Sequence, residues 1–263
     1  MRLAIGLEYA GDAFCGWQSQ ASGCGVQDAL ERAAGEIAAH PVTATAAGRT
    51  DAGVHAVSQI VHLDVTAVRP PGAWVRGVNA LLPAAAAVLW AQPVAVDFHA
   101  RFAARARHYT YLLLMRAERP ALLAQRVGWY HRPLDVGAMR EAAAMLVGHH
   151  DFSAFRAADC QAQSPEKSLS RLAIGGAGDV LRFEFTANAF LHHMVRNIVG
   201  SLVYVGAGKH PPAWIGGVLA ARDRTRAAPT FSPHGLYLAG ADYDGRFGLP
   251  PTRRAVTLPG LGA

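Results

Sequence analysis

Hydrophobic side chains at Leu3, Ile5, Leu7 and Tyr9 alternate with smaller or polar residues, the period of a half-buried strand. A glycine-punctuated loop over 11–25 follows and carries Phe14, Trp17 and Gln18. Val26, Ala29, Leu30, Ala33 and Ile37 then recur at helical spacing until the break at Pro41. Residues 59–65 predict a strand, Pro70-Pro71-Gly72 a break followed by a short helix, and 88–96 another strand. Residues 104–107 read as a hinge, and beyond it the same order returns. A strand is expected over 108–115, then a helix marked by Val136, Met139, Ala143 and Leu146 with Asp135 as its N-cap. Strands over 169–174 and 180–186 flank Gly175-Gly176-Ala177-Gly178, helices follow over 190–205 and 212–220, and a strand over 235–241 closes the pattern. Two halves, each a sheet with helices packed on it, predict an α+β architecture without a residue-level repeat between them. The expected boundaries are 1–104 for an N-terminal α+β subdomain, 105–245 for a C-terminal one, and 246–263 for a tail. From Gly245 on there is no periodic pattern, so the tail is expected to be flexible.

Composition narrows the class. A chain of 263 residues can bury a sizeable core, and 51% hydrophobic against 17% charged residues excludes a disordered protein. No apolar run reaches the roughly 20 residues of a membrane helix, so no membrane partner is expected. Glu8 falls where the apolar core of a signal peptide would continue. The three cysteines, Cys15, Cys24 and Cys160, are odd in number and form no motif, which fits a reduced, cytoplasmic setting. Net charge is +6 and all basic residues but Lys167 and Lys209 are arginine, the side chain that grips phosphate in a planar fork and stacks on bases. Genomic base composition also enriches alanine and arginine together, so the sign favours a polyanionic partner only weakly.

Several chemistries are missing. Residues 205–210, Val-Gly-Ala-Gly-Lys-His, lack the first glycine and the Ser or Thr of a phosphate-binding loop and follow a helix, so they read as a helix C-cap. His149-His150 and His192-His193 are adjacent pairs whose side chains are expected to point apart, and no Cys/His spacing suits zinc or another metal. There is no Gly-x-Ser-x-Gly, and no close pair of acids for ordinary glycoside hydrolysis.

Three constellations remain. The first is Gly48-Arg49-Thr50-Asp51-Ala52-Gly53-Val54-His55, one acid framed by glycines beside an arginine. On an extended segment Arg49 and Asp51 leave the same face, putting a carboxylate and a fixed cation in one backbone-accessible space. Asp51 either caps a turn or does chemistry. The second runs from Phe98 through His99, Arg101, Phe102, Arg105, Arg107 and His108 to Tyr109 and Tyr111, cations interleaved with rings as nucleic-acid surfaces need. Tyr109 and Tyr111 share a strand face and are either exposed to a base or part of the core. The third is the helical stretch 188–200, where Arg196 lies off the stripe of Leu191, Met194, Val195 and Ile198. Its guanidinium is either solvated or reaching for an acid, and an arginine paired with Asp51 would favour the ionised carboxylate.

The run over 48–55 resembles the active-site motif of the TruA family of tRNA pseudouridine synthases. So do Phe14-Cys15-Gly16-Trp17-Gln18, Phe98-His99-Ala100-Arg101-Phe102, Arg107-His108-Tyr109-Thr110-Tyr111, Asp151-Phe152-Ser153-Ala154-Phe155-Arg156 and residues 190–200, in the right order across nearly the whole chain. The resemblance implies two α+β subdomains sharing an extended mixed, mainly antiparallel sheet, with a central active-site cleft. It implies a cofactor-free homodimer that converts uridine to pseudouridine at positions 38, 39 and 40 of the tRNA anticodon stem-loop. On this resemblance Asp51 is the catalytic aspartate, Tyr109 the substrate-contacting tyrosine, Arg196 the arginine paired with the aspartate, and Arg49 the arginine beside the flipped base. Lys167 departs from the family, where arginine is frequent, and the tail after Asp244 differs.

Overall fold

The computed structural model describes residues 1–258 of the 263. It resolves into two compact units, each α+β. The first takes Met1–Arg107 and Tyr237–Val256, and the second His108–Leu236. Ten strands and five α-helices are present among the described residues.

The first unit centres on β1 (Arg2–Tyr9), flanked by β3 (His55–Asp64) and β4 (Ala86–Val94). Both neighbours are antiparallel to it, with Ile5 opposite Val61 and Ala91. Leu3, Ile5 and Leu7 are fully buried, as the alternation requires, and Ala4 opposite them is buried too, so both faces of this strand are covered. The two-residue β2 (Thr45–Ala46) adds to β3. β10 (Leu236–Asp242) runs parallel to β3, with Tyr237 opposite His55. Helix α1 (Val26–Ala38) packs on α2 (Pro71–Leu81), and α2 on β4. The Asp28 carboxylate accepts the Gly25 N–H at 2.9 Å and starts α1, and Pro71 opens α2 with its fixed φ.

The second unit has β5 (Ala106–Met115), β9 (Val180–Ala187), β8 (Glu166–Ala177) and β7 (Gly148–Asp151) side by side in that order. β6 (Gly128–Tyr130) runs parallel to β5. Helices α3 (Val136–Ala144), α4 (Met194–Gly206) and α5 (Trp214–Ala221) complete it, with α3 on α4 and β8. Asp135 caps α3 as expected, accepting the Ala138 N–H at 2.9 Å.

The sequence reading needs five corrections. The closing strand joins the first unit, not the C-terminal half, because its register pairs it with β3. The segment after Gly245 is packed rather than loose up to Val256. Phe247 and Val256 are buried, Ser58 Oγ donates to the Thr252 carbonyl at 2.8 Å, and the Arg254 N–H donates to the Ala239 carbonyl at 2.9 Å. The end of the expected tail, 259–263, lies outside the described residues. Helix α4 begins at Met194 and not at 190, because His193 sits in left-handed backbone at φ 61° and breaks the helical run. The same turn brings the His192 and His193 rings to 4.1 Å between centroids instead of pointing them apart. Finally, Cys15 and Cys24 form a disulfide, with Cα atoms 5.4 Å apart, where three unpaired thiols were expected.

The reading of 205–210 stands on geometry. Gly208 at φ 71° follows the end of α4, and the N–H groups of Gly208 and Lys209 donate to the Val205 and Tyr204 carbonyls. The Lys209 ammonium lies 4.0 Å from the centre of the Tyr204 ring, not over a phosphate cradle. No helix among the described residues is long and apolar enough to cross a membrane.

Candidate active site

Residues 47–54 connect β2 to β3. Thr50 is buried, while Arg49 before it is exposed and Asp51 after it is partly exposed. That is the arrangement the two-residue spacing predicts for an extended stretch. Gly53 at φ 79° then turns the chain, and the Val54 N–H closes the turn onto the Asp51 carbonyl at 3.1 Å.

The inner face of this loop is held by a polar network that the sequence did not reveal. Thr50 Oγ1 lies 2.8 Å from the Tyr9 hydroxyl, both in the interior. Gln59, on β3 and fully buried, donates through Nε2 to the Gly48 carbonyl at 2.7 Å and to the Tyr9 hydroxyl at 3.4 Å. Burial pushes the Tyr9 phenol up to about 12, so it stays neutral in any ordinary buffer. Each of these bonds costs a polar group its water and returns a fixed position for the backbone around Asp51.

A second segment clamps the loop from the other side. The Trp17 N–H donates to the Thr50 carbonyl at 2.9 Å, and the Gly53 N–H donates to the Gly11 carbonyl at 3.2 Å. The Gly11 N–H donates to His55 Nδ1 at 3.0 Å. The same nitrogen lies 3.9 Å from the Asp12 carboxylate. The His55 ring stacks on Tyr237 of β10 at 4.7 Å between centroids. Gly16, at φ 97°, permits the approach, since a Cβ there would stand 2.8 Å from the Thr50 carbonyl oxygen. The glycine of Phe14-Cys15-Gly16-Trp17-Gln18 is thus explained by backbone meeting backbone.

A third support comes from Arg107. Its guanidinium donates to the Ala47 carbonyl at 3.1 and 3.2 Å, to the Ala104 carbonyl at 3.0 Å, and to the Arg101 carbonyl. One planar cation therefore ties the hinge and the 98–104 stretch to the residue that precedes Gly48. In the second motif, Phe98 and Ala100 are fully buried beside Phe247, and the Tyr243 hydroxyl donates to the Ala100 carbonyl at 2.6 Å.

Tyr109 and Arg196 belong to the second unit, and Arg49 and Asp51 to the first. Tyr109 is only 8% exposed and meets Phe190 edge to face at 5.0 Å. Tyr111 is a core tyrosine whose hydroxyl donates to the Ser232 carbonyl at 2.8 Å. Arg196 leaves the first turn of α4, and its Nε donates to the Phe231 carbonyl at 2.9 Å. The next residue, Asn197, is fully buried and fixes the helix: Nδ2 donates to the Phe155 carbonyl at 2.8 Å, and Oδ1 accepts from Thr230 and Arg224 at 2.7 and 3.1 Å. A Cβ at Gly200 would meet the Pro229 carbonyl oxygen at 2.4 Å, so the 228–231 strap lies directly along α4. Asn197, Arg224 and the Tyr9–Thr50–Gln59 set were missed in the sequence because their partners are far apart along it.

The chain is similar to known proteins over most of its length. The family described as tRNA pseudouridine synthase matches residues 5–103 and 142–244. A protein of Thiobacillus denitrificans named tRNA pseudouridine synthase A is 62% identical over 250 residues, covering 95% of this chain and 96% of the relative. One of the same name from Chromobacterium violaceum is 60% identical over 259 residues, covering 98% and 99%. One from Dechloromonas aromatica is 59% identical over 250 residues, covering 95% of each. With a family match in both halves of the chain and relatives at least 59% identical over nearly its whole length, the protein belongs to the tRNA pseudouridine synthase A family.

Proposed function

We propose that this protein is an isomerase that converts uridine to pseudouridine in tRNA, acting at positions 38, 39 and 40 of the anticodon stem-loop, as a cytoplasmic homodimer without a cofactor. The observation that carries the reading is the Asp51 loop: a partly exposed carboxylate next to an exposed arginine, on a backbone fixed from three sides.

The reaction breaks the N1–C1′ bond of uridine, turns the uracil and joins C5 to C1′. Inside a paired stem that bond is out of reach, so the nucleotide flips out, at a cost of a few kcal/mol that phosphate contacts and new stacking offset. Arg49 holds the displaced backbone or fills the gap. Asp51 acts in one of two ways. As a nucleophile its carboxylate attacks C1′ and N1 leaves with the bonding electrons; C5 then attacks C1′ and the carboxylate leaves. As an initiating base it takes the C2′ proton and N1 leaves with its bonding electrons; C5 then bonds to C1′ of the resulting C1′–C2′ double bond and the proton returns from Asp51 to C2′. On either route the proton on C5 is lost and N1 gains one. A single carboxylate suffices because the detached base is itself the second nucleophile, so no water needs activating. Tyr109 stacks on the uracil and is the residue proposed to take the C5 proton. Arg196 is proposed to keep Asp51 ionised.

Asp51→Asn tests the reading. Carbodiimide mapping of tRNA incubated with the variant is expected to show no new pseudouridine, while filter binding shows nearly unchanged tRNA affinity. Full activity of the variant refutes the assignment.

A further inference from the structure

Among the described residues only one phenylalanine, tyrosine or tryptophan side chain is exposed, and that is Phe102, at 76%. Every other ring of the chain is buried or half-buried. A single exposed apolar residue is ordinary on a protein surface, so the weight falls on what surrounds the ring.

Its surroundings are built and charged. The His99 ring packs on Phe102 at 4.3 Å between centroids, and His99 Nδ1 accepts the N–H groups of Arg101 and Phe102, both at 3.2 Å. The turn is therefore fixed before anything binds. The Arg101 guanidinium lies 5.5 Å from the centre of the Phe102 ring and makes no ion pair among the described residues. Neighbouring cations differ: Arg105 pairs with Asp244, and Arg246 with Asp97. So an open ring and an uncompensated cation are presented together, while the charges around them are neutralised. Arg107, through its bonds to the Arg101 and Ala47 carbonyls, couples this turn to the start of the Asp51 loop.

We infer that Phe102 and Arg101 form a platform on which a nucleobase of the tRNA, other than the uridine being isomerised, stacks, with the guanidinium of Arg101 on the adjoining phosphate. The inference rests on the tRNA reading above and goes beyond it by naming an anchoring point. A ring face is sequence-tolerant because every base has a π-face, and an arginine beside it supplies the charge that a backbone needs. A protein partner would seek apolar area instead, and a lone ring beside an unpaired cation offers little of it.

The test measures tRNA binding and multiple-turnover kinetics for Phe102→Ala, Phe102→Leu, Phe102→Trp and Arg101→Ala, with sedimentation velocity on each. Phe102→Ala and Phe102→Leu are expected to weaken tRNA binding about tenfold, with the loss in KM and not in kcat, and Phe102→Trp to restore it. Arg101→Ala is expected to lower the salt slope of binding by about one unit. Rescue by Leu as well as Trp, or a loss of self-association in Phe102→Ala that alone accounts for weaker binding, overturns the inference in favour of a protein contact. Unchanged tRNA binding in Phe102→Ala overturns it outright. Absence of tRNA binding by the unsubstituted protein would instead overturn the tRNA reading together with it.

Discussion

The Tyr9 hydroxyl and Thr50 Oγ1 meet at 2.8 Å in the interior, one residue before Asp51. Strand β1 thereby holds the loop to which the aspartate belongs, with Gln59 as the third member. Tyr9→Phe removes one oxygen and strands the partner hydroxyl. The expected stability loss is about 1–2 kcal/mol, read from the urea midpoint. Pseudouridine formation is expected to slow about tenfold in single turnover, since a misplaced reactive group loses rate steeply. Combining the change with Thr50→Val should add little, because both remove the same bond.

Gly16→Ala separates space from conformation. Its Cβ would stand 2.8 Å from a backbone oxygen that cannot rotate away, at φ 97°. Gly23, at φ 68° with nothing within 4 Å, has the backbone requirement alone. Differential scanning calorimetry is expected to show Gly16→Ala costing about 2 kcal/mol or more and Gly23→Ala about 1. Activity falls in the first only. Equal losses would mean that the approach to the Thr50 carbonyl is not what Gly16 serves.

His62 sets an acid limit on stability. It is 6% exposed, its Nδ1 accepts the Ala100 N–H at 3.2 Å, and burial, with Arg2 nearby, pulls it down to about 4 from the ordinary 6.5. Above 6.5 neither the folded nor the unfolded chain protonates it, so it contributes nothing there. As pH falls from 6.5 toward 4, the unfolded chain takes up a proton that the folded one refuses, and stability drops by up to about 3 kcal/mol. His99 is lowered too, mainly by burial, and acts in the same direction. Asp64, held low by Arg2, follows the opposite rule: its contribution is present above the ordinary carboxylate range and fades below it. Urea titrations from pH 7 to 4.5 are expected to show a smaller slope for His62→Gln. An unchanged slope would remove His62 as the cause.

The parts of the fold that follow one-dimensional rules were legible. Period-two alternation marked β1, and Asp135 marked the start of α3. Gly208 marked the end of α4. The start of α4 was not, because the helical spacing continues across 190–193 while the left-handed His193 interrupts it. The strand β10 was recognised but placed with the wrong half, since nothing local distinguishes a partner about 180 residues away from a near one. At the site, Asp51 and Arg49 stood out by glycines and charge. Their scaffold did not, because Tyr9, Thr50 and Gln59 look like ordinary strand residues until their hydroxyls and amide meet. Phe98 and Phe102 were equal in the sequence, and only the turn at His99 sends one inward and the other out.

The pairing of β10 with β3 carries a consequence for biosynthesis. The half that holds Asp51 is stitched from both ends of the polypeptide: Arg254 bonds to Glu8 at 2.6 Å, and Ser58 to Thr252. While the ribosome is still making residues 108–236, this half waits without its parallel strand, and the edge of β3 stays uncovered. The loop's polar supports all lie within the first 107 residues, whereas β10 and the 252–254 segment can cover this half only once translation is nearly finished.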